Sequence, residues 1–225
     1  MLNETATLNL ILTGATGLVG EGVLLEALEH PAVAQILMVS RRPSTLAHPK
    51  LKELLVPDFM HIESVTAQLA GYDACLYCAG ISSAGMNEAD YTHITHDITV
   101  HFAEVLVALN PQMIFIFVSG YLADSTEKGR VMWARVKGRT ENNLMRLPFQ
   151  HVYSFRPGFM KPFPTQRNVK GYYKLITLLY PILDKLFPNY VSTMQELGLA
   201  MIKCILRGYP KPILEVEDIN QLASS

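Results

Sequence analysis

The sequence Gly14-Ala15-Thr16-Gly17-Leu18-Val19-Gly20 stands between a short apolar run, Leu8 to Thr13, and a helical pattern through Val23, Leu24, Leu25, Ala27 and Leu28. Its GxxGxxG spacing differs from the GxGxxG fingerprint, but the physical demands are the same. Gly14 permits the tight turn, Gly17 lets a pyrophosphate approach the backbone, and Gly20 lets the helix pack against the strand. The unpaired N–H groups of the first helical turn then face the phosphates. About twenty residues further on, an NAD-selective site carries an acid for the ribose hydroxyls. Here Val39-Ser40 is followed by Arg41 and Arg42. Guanidinium groups make forked hydrogen bonds to phosphate, so NADP(H), with its 2′-phosphate, is expected in preference to NAD(H). The alternative is a pair of solvated loop charges.

Other groups have weaker claims. His93, Asp97 and His101 fall at i, i+4 and i+8 of a helical stretch, a spacing that spreads three ligands over two turns, so no metal site is expected. Cys75 and Cys78 form a CxxC inside an apolar run rather than at a helix N-terminus, where such pairs become redox-active; they read as core residues. Asp124-Ser125-Thr126-Glu127 reads as the start of a helix. Tyr172, Tyr173 and Tyr180 suggest either an aromatic-lined cleft or a packed core with polar tips.

The elements that position these residues alternate. Apolar runs at Leu8–Thr13, Gln35–Val39, Leu54–Met60, Ala74–Cys78, Met113–Val118 and His151–Phe155 are expected as six strands, and Ala89–Leu109 and Glu127–Leu147 as helices. Runs apolar on both faces suit parallel strands covered by helices on either side, which implies an α/β, doubly wound parallel sheet, the Rossmann architecture. After Pro157 the pattern becomes mostly helical, with Val169–Phe187, Thr193–Leu206 and a short segment at Ile213–Leu222. A single domain over 1–225 is expected, in which 158–225 forms a C-terminal substrate lid. The hydrophobic share of 49% and charged share of 17% agree with a sizeable core. Nineteen basic against twenty acidic residues lack the excess that nucleic acid demands. Leu175–Phe187 is too short and too polar to span a membrane, and the N-terminus lacks a basic n-region, so a cytoplasmic location is expected.

The glycine motif, Tyr77-Cys78-Ala79-Gly80 closing a strand, Ser119 after the next, Lys137-Gly138-Arg139-Thr140-Glu141 on a helix and Arg156-Pro157-Gly158 after the sixth strand occur in one order. In that order the chain resembles the short-chain dehydrogenase/reductase superfamily, in its extended and atypical branch of NAD-dependent epimerase/dehydratase-like proteins. The resemblance covers roughly residues 8 to 160. It implies that Gly14, Thr16, Gly17, Leu18, Val19 and Gly20 line the pyrophosphate and that Arg41 and Arg42 face the 2′-phosphate. Asp58 and Phe59 would sit by the adenine, Cys78, Ala79 and Gly80 under the adenine-side ribose, and Pro157 and Gly158 against the nicotinamide. Ser119 would orient the reacting oxygen, and Lys137 would bond to the nicotinamide ribose.

The same resemblance calls for a Tyr four residues before the Lys as general acid or base. Trp133 stands there, and an indole N–H exchanges no proton near neutral pH. Three readings follow: Tyr121 supplies the acid from its loop, Lys137 does so with a bound water, or the dinucleotide binds without turnover. Trp133 itself reads as a hydrophobic wall. The expected function is that of an oxidoreductase or epimerase on a small organic substrate; the alternative is a non-catalytic NADP(H)-binding sensor or scaffold. A homodimer is left open.

Overall fold

The structure, a computed structural model, describes residues 7–169 and 172–225. Nine strands are described: β1 (Leu8–Thr13), β2 (Val33–Ser40), β3 (Leu51–Leu55), β4 (Ala74–Tyr77), β5 (Ile114–Val118), β6 (His151–Phe155), β7 (Phe159–Lys161), β8 (Val191–Thr193) and β9 (Ile213–Leu214). The α-helices are α1 (Leu18–Glu29), α2 (Thr66–Leu69), α3 (Glu88–Thr92), α4 (Ile98–Leu109), α5 (Met132–Leu144), α6 (Tyr172–Leu186), α7 (Met194–Arg207) and α8 (Val216–Ser224). The main sheet is seven-stranded in the order β3-β2-β1-β4-β5-β6-β9, and every neighbouring pair is parallel. β7 and β8 form a separate parallel pair.

Alternating side chains explain why these strands are apolar throughout. Leu10, Leu12, Leu76, Ile114 and Ile116 enter one core with α1, α7 and α8. Ile11, Cys75, Tyr77, Phe115 and Phe117 enter the other, with Phe102 and Leu106 of α4. On that second face Phe102 meets Tyr77 edge-on at 5.5 Å and Phe59 at 5.3 Å; each such pair adds about 1 kcal/mol to its area burial. On the first face α7 lies beside α1. The small residues Gly22 and Gly198 permit the approach: a Cβ there would come within 2.8 Å of Met194 and 2.7 Å of Glu26, respectively.

Three sequence expectations change. The third strand covers Leu51–Leu55 rather than Leu54–Met60, because Pro57 interrupts the chain and Asp58 caps a 3₁₀ helix, Phe59–Val65, by accepting from the Met60 N–H at 2.9 Å. The helix expected from Glu127 begins at Met132. Asp124 caps no helix; its carboxylate accepts from the N–H groups of Thr126 and Gly129, at 3.0 and 2.6 Å, and folds a loop in which Glu127 has φ of 60°. Ile213–Leu214 adds a seventh strand. The helix expected from Val169 is described from Tyr172, and the side chains of Tyr172 and Tyr173 lie outside the described residues; Tyr180 is buried, with the Lys161 ammonium 5.0 Å from its ring centre. Among the described residues, no helix is long and apolar enough to cross a membrane.

Candidate functional site

Strand order reverses between β1 and β4, and a doubly wound sheet opens a crevice at the carboxyl ends of the strands at such a point. A cleft of about 400 Å³ lies there. Its lining brings together Gly14, Thr16, Gly17, Arg41, Arg42, Asp58, Phe59, Cys78, Ala79 and Gly80. Gly14 has φ of +73°, and a Cβ on it would stand 2.5 Å from the Cys78 carbonyl carbon, so the first turn is closed against the end of β4. A Cβ on Gly20 would stand 2.2 Å from the Gly14 oxygen, which is what holds α1 close to the turn. Gly80, by contrast, faces open space, with nothing within 4 Å of a Cβ. Bare backbone bordering open space fits a dinucleotide diphosphate.

The ends of β1 and β4 are tied together by Thr13, whose hydroxyl accepts from the Ala79 N–H at 3.2 Å. Ser40 turns the chain after β2 by donating to the Arg42 carbonyl at 2.7 Å. Arg41 and Arg42 are exposed, and neither guanidinium has a carboxylate partner among the described residues. Leu18 and Val19, expected along the pyrophosphate, are half-buried, and their side chains pack against the hydrophobic core. Phe59 serves the core through Phe102 as well as lining the cleft. Ile94 and Ile98, missed in the sequence, line the same cleft from a π-helical turn, His93–Asp97, and the residue after it. Their only sequence signal is two isoleucines in a polar stretch.

The neighbouring strand ends carry the residues that the sequence singled out for chemistry. Ser119 follows β5; it is buried, and its hydroxyl has no partner among the described residues. Lys137, on α5, donates to the carbonyls of Ser119 at 3.0 Å and Val118 at 3.4 Å. Desolvation pulls its pKa down to about 8, against the opposing pull of Glu141. The Trp133 ring and the Lys137 stem flank Gly120, each 3.8 Å from where a Cβ would be. Tyr121 stands apart: it lines a second cleft of about 420 Å³ with Arg156 and Glu215, and its ring meets that of Tyr190 edge-on at 5.5 Å. Burial and the bond to Tyr190 raise its pKa, so it holds its proton at neutral pH. Pro157 accepts the Tyr121 N–H at 3.0 Å. Gly158 is small because a Cβ would stand 2.3 Å from the Tyr190 carbonyl oxygen.

Two of the recognised motifs lock to each other. Glu141 on α5 is fully buried and receives Arg156 from the end of β6, with Nε to Oε1 at 2.9 Å and Nη2 to Oε2. Arg156 also donates to Glu215 at 3.0 Å and to Ser125, joining α5, β6, the loop after β5 and the start of α8. The helix bearing Lys137 is thereby held against the strand ends. The remaining candidates disperse. His101 lies 2.9 Å from Glu63, whereas Asp97 engages His96 at 2.7 Å and His93 at 3.6 Å. Burial pushes the Cys78 thiol up to about 12 and that of Cys75 well above its ordinary value, so neither is an activated nucleophile.

Comparison with known proteins agrees with this architecture. Residues 10–130 match the model of the NAD dependent epimerase/dehydratase family. "Leucinostatins biosynthesis cluster protein T" of Purpureocillium lilacinum is 31% identical over 146 residues, 62% of this chain and 52% of that one. "Protein fmp52-1, mitochondrial" of Aspergillus terreus is 26% identical over 155 residues, 66% and 65% of the two chains. The chain thus spans between about half and two thirds of the length of these curated relatives. Among solved structures, the Bordetella bronchiseptica enzyme WbmF in complex with NAD+ superposes with a TM-score of 0.67 at 13% identity, covering 99% of this chain and 78% of that one. A Brucella melitensis short-chain dehydrogenase/reductase gives 0.66 at 17% identity, covering 95% and 96%. The expected cytoplasmic location is corrected by the relatives: those of Aspergillus terreus and Candida albicans carry mitochondrial names. Composition and a missing n-region test only for secretion and were no guide to the compartment. On the family match over more than half of its length, this chain belongs to the NAD dependent epimerase/dehydratase family.

Proposed function

We propose that the chain binds NADP(H) and acts as an oxidoreductase or epimerase on a small organic substrate, with Trp133 in the place of the usual proton-donating Tyr. The observation that carries this reading is the buried Ser119 hydroxyl, unpartnered among the described residues, beside a lysine of lowered pKa at the strand ends next to the glycine cleft. Gly14, Gly17 and Gly80 would take the diphosphate and adenine-side ribose, and Arg41 and Arg42 the 2′-phosphate. Bound there, the nicotinamide would give or accept hydride.

Ser119 would use its free hydroxyl to bond the reacting oxygen of the substrate, an interaction that removes an unsatisfied buried group. Lys137 spends two of its three donors on the Val118 and Ser119 carbonyls, which aims Nζ along the end of β5 and leaves one N–H for the ribose or for a water. With a pKa of about 8 it is mostly charged at neutral pH yet able to pass on a proton. Trp133 would wall the pocket and keep water from it. Tyr121 is the weaker donor, because its phenol is engaged with Tyr190 in the second cleft. The C-terminal 158–225 region would shape the substrate side.

The competing reading, a nucleotide-binding sensor, is favoured by Trp133 alone. The test uses that residue, the only tryptophan. NADPH is expected to quench its fluorescence at lower concentration than NADH. Turnover of a carbonyl panel that disappears in Ser119→Ala and Lys137→Met excludes the sensor; quenching with no turnover by the wild type supports it. No quenching by either nucleotide would sink both readings.

A further inference from the structure

The segment between β7 and α6 takes a path that the catalytic strand ends do not require. From Pro162 it crosses to the first turn of α1, where the Gln166 amide nitrogen donates to the Leu18 carbonyl at 2.8 Å while the amide oxygen accepts the Phe163 N–H at 2.8 Å. Gln166 is buried by this arrangement. The two carboxylate oxygens of Glu21 then accept the consecutive N–H groups of Arg167 and Asn168, each at 2.8 Å. Arg167 continues outward, and its Nη1 donates to the Thr45 hydroxyl at 3.1 Å. One strap is therefore moored to the first turn of α1, which follows the glycine turn, and to Thr45 in the loop that follows Arg41 and Arg42.

The loop after Arg42 meets an acid, Glu53 of β3, whose carboxylate accepts the Ser44 N–H at 2.7 Å. Thr45 lies three residues beyond Arg42, so Arg167 brings a third guanidinium to the loop that already carries two. Arg167 is exposed and has no carboxylate partner among the described residues, and Glu21, the nearest acid in its bonding pattern, is occupied by main-chain N–H groups. Three guanidinium groups against Glu53 and Glu21, both carboxylates held by main-chain N–H groups, leave an excess of positive charge that a phosphate would relieve.

We propose that residues 162–169 form a strap that completes the nucleotide site, with Arg167 a third ligand of the phosphate on the adenine ribose. This rests on the NADP(H) reading above.

The test measures the affinities of 2′,5′-ADP, ADP, NADPH and NADH for the whole chain by calorimetry or Trp133 quenching. Arg167→Gln is expected to weaken 2′,5′-ADP and NADPH about tenfold, the worth of one charge-assisted hydrogen bond, and to leave ADP and NADH within about twofold. Arg167→Lys should recover part of the loss. Glu21→Ala, which frees the strap without touching a guanidinium, should weaken the same two ligands by a smaller factor. If Arg167→Gln binds all four ligands as the wild type does, the strap has no part in the site, while the NADP(H) reading stands on Arg41 and Arg42. An equal loss for all four would also overturn the phosphate role. Failure of the NADP(H) reading looks different: the wild type would bind 2′,5′-ADP no better than ADP, and the inference would fall with it.

Discussion

Replacing Glu141 by Ala tests whether the recognised motifs hold the site together. The Glu141 carboxylate is 0% exposed and takes two donors of Arg156, whose own side chain is 10% exposed. Without it, Arg156 retains Ser125 and Glu215, but Glu215 is 44% exposed and already bonded, and no acceptor remains for Nε. Losing the buried partner leaves the Arg156 charge with only the half-exposed Glu215 to offset it, at a cost of about 3 kcal/mol. For a chain of this size each kcal/mol moves Tm by about 2–4 °C, so a fall of about 6–12 °C is expected. Glu141→Gln, which keeps one acceptor, should fall about half as far. The double variant Glu141→Leu/Arg156→Leu should regain most of the loss, since paired removal leaves no orphan charge. Thermal melts followed by circular dichroism at fixed pH read all three. A Glu141→Ala chain that melts within about 2 °C of wild type would refute the reasoning. The same would follow if the double variant were the least stable of the set.

Lys137 makes a signed pH prediction. Its folded pKa of about 8 lies below the ordinary lysine value, so between pH 8 and about 10.4 the unfolded chain binds more protons than the folded one, and this group favours folding increasingly as pH rises. The Tm difference between wild type and Lys137→Met should therefore move in favour of wild type from pH 7.5 to 10; a flat or opposite trend would contradict the depressed pKa. Gly20→Ala, whose Cβ would overlap the Gly14 carbonyl, should cost about 3 kcal/mol or more and abolish nucleotide quenching, whereas Gly80→Ala, facing open space, should melt as wild type does. Equal Tm values for the two alanine variants would remove the claim that close backbone contact builds the glycine turn.

Periodicity and motif order made the sheet legible, because a strand buried on both faces must be apolar at consecutive positions, as in Ile114–Val118, and no exposed strand keeps that pattern. The glycine turn was legible for a similar reason: its steric demands act between residues close in sequence, Gly14 and Gly20. Short or interrupted elements were not. The π-turn that brings Ile94 and Ile98 to the cleft and the two-residue β9 strand carry too little periodicity to register. The loop Asp124–Val131 was misread because Asp, Ser and Thr serve turns and helix caps alike, and only the positive φ of Glu127 decides between them.

What the sequence determined by itself was therefore local: which runs become strands, where the turn needs glycine, and that a Trp stands four residues before Lys137. Pairings across long separations were decided only in three dimensions. Arg156 with Glu141, Gln166 with Leu18 and Arg167 with Thr45 join residues 15, 148 and 122 positions apart. No local propensity encodes such contacts; they arise because seven parallel strands bring their carboxyl ends to one edge, where distant loops must satisfy one another's charges and backbone groups.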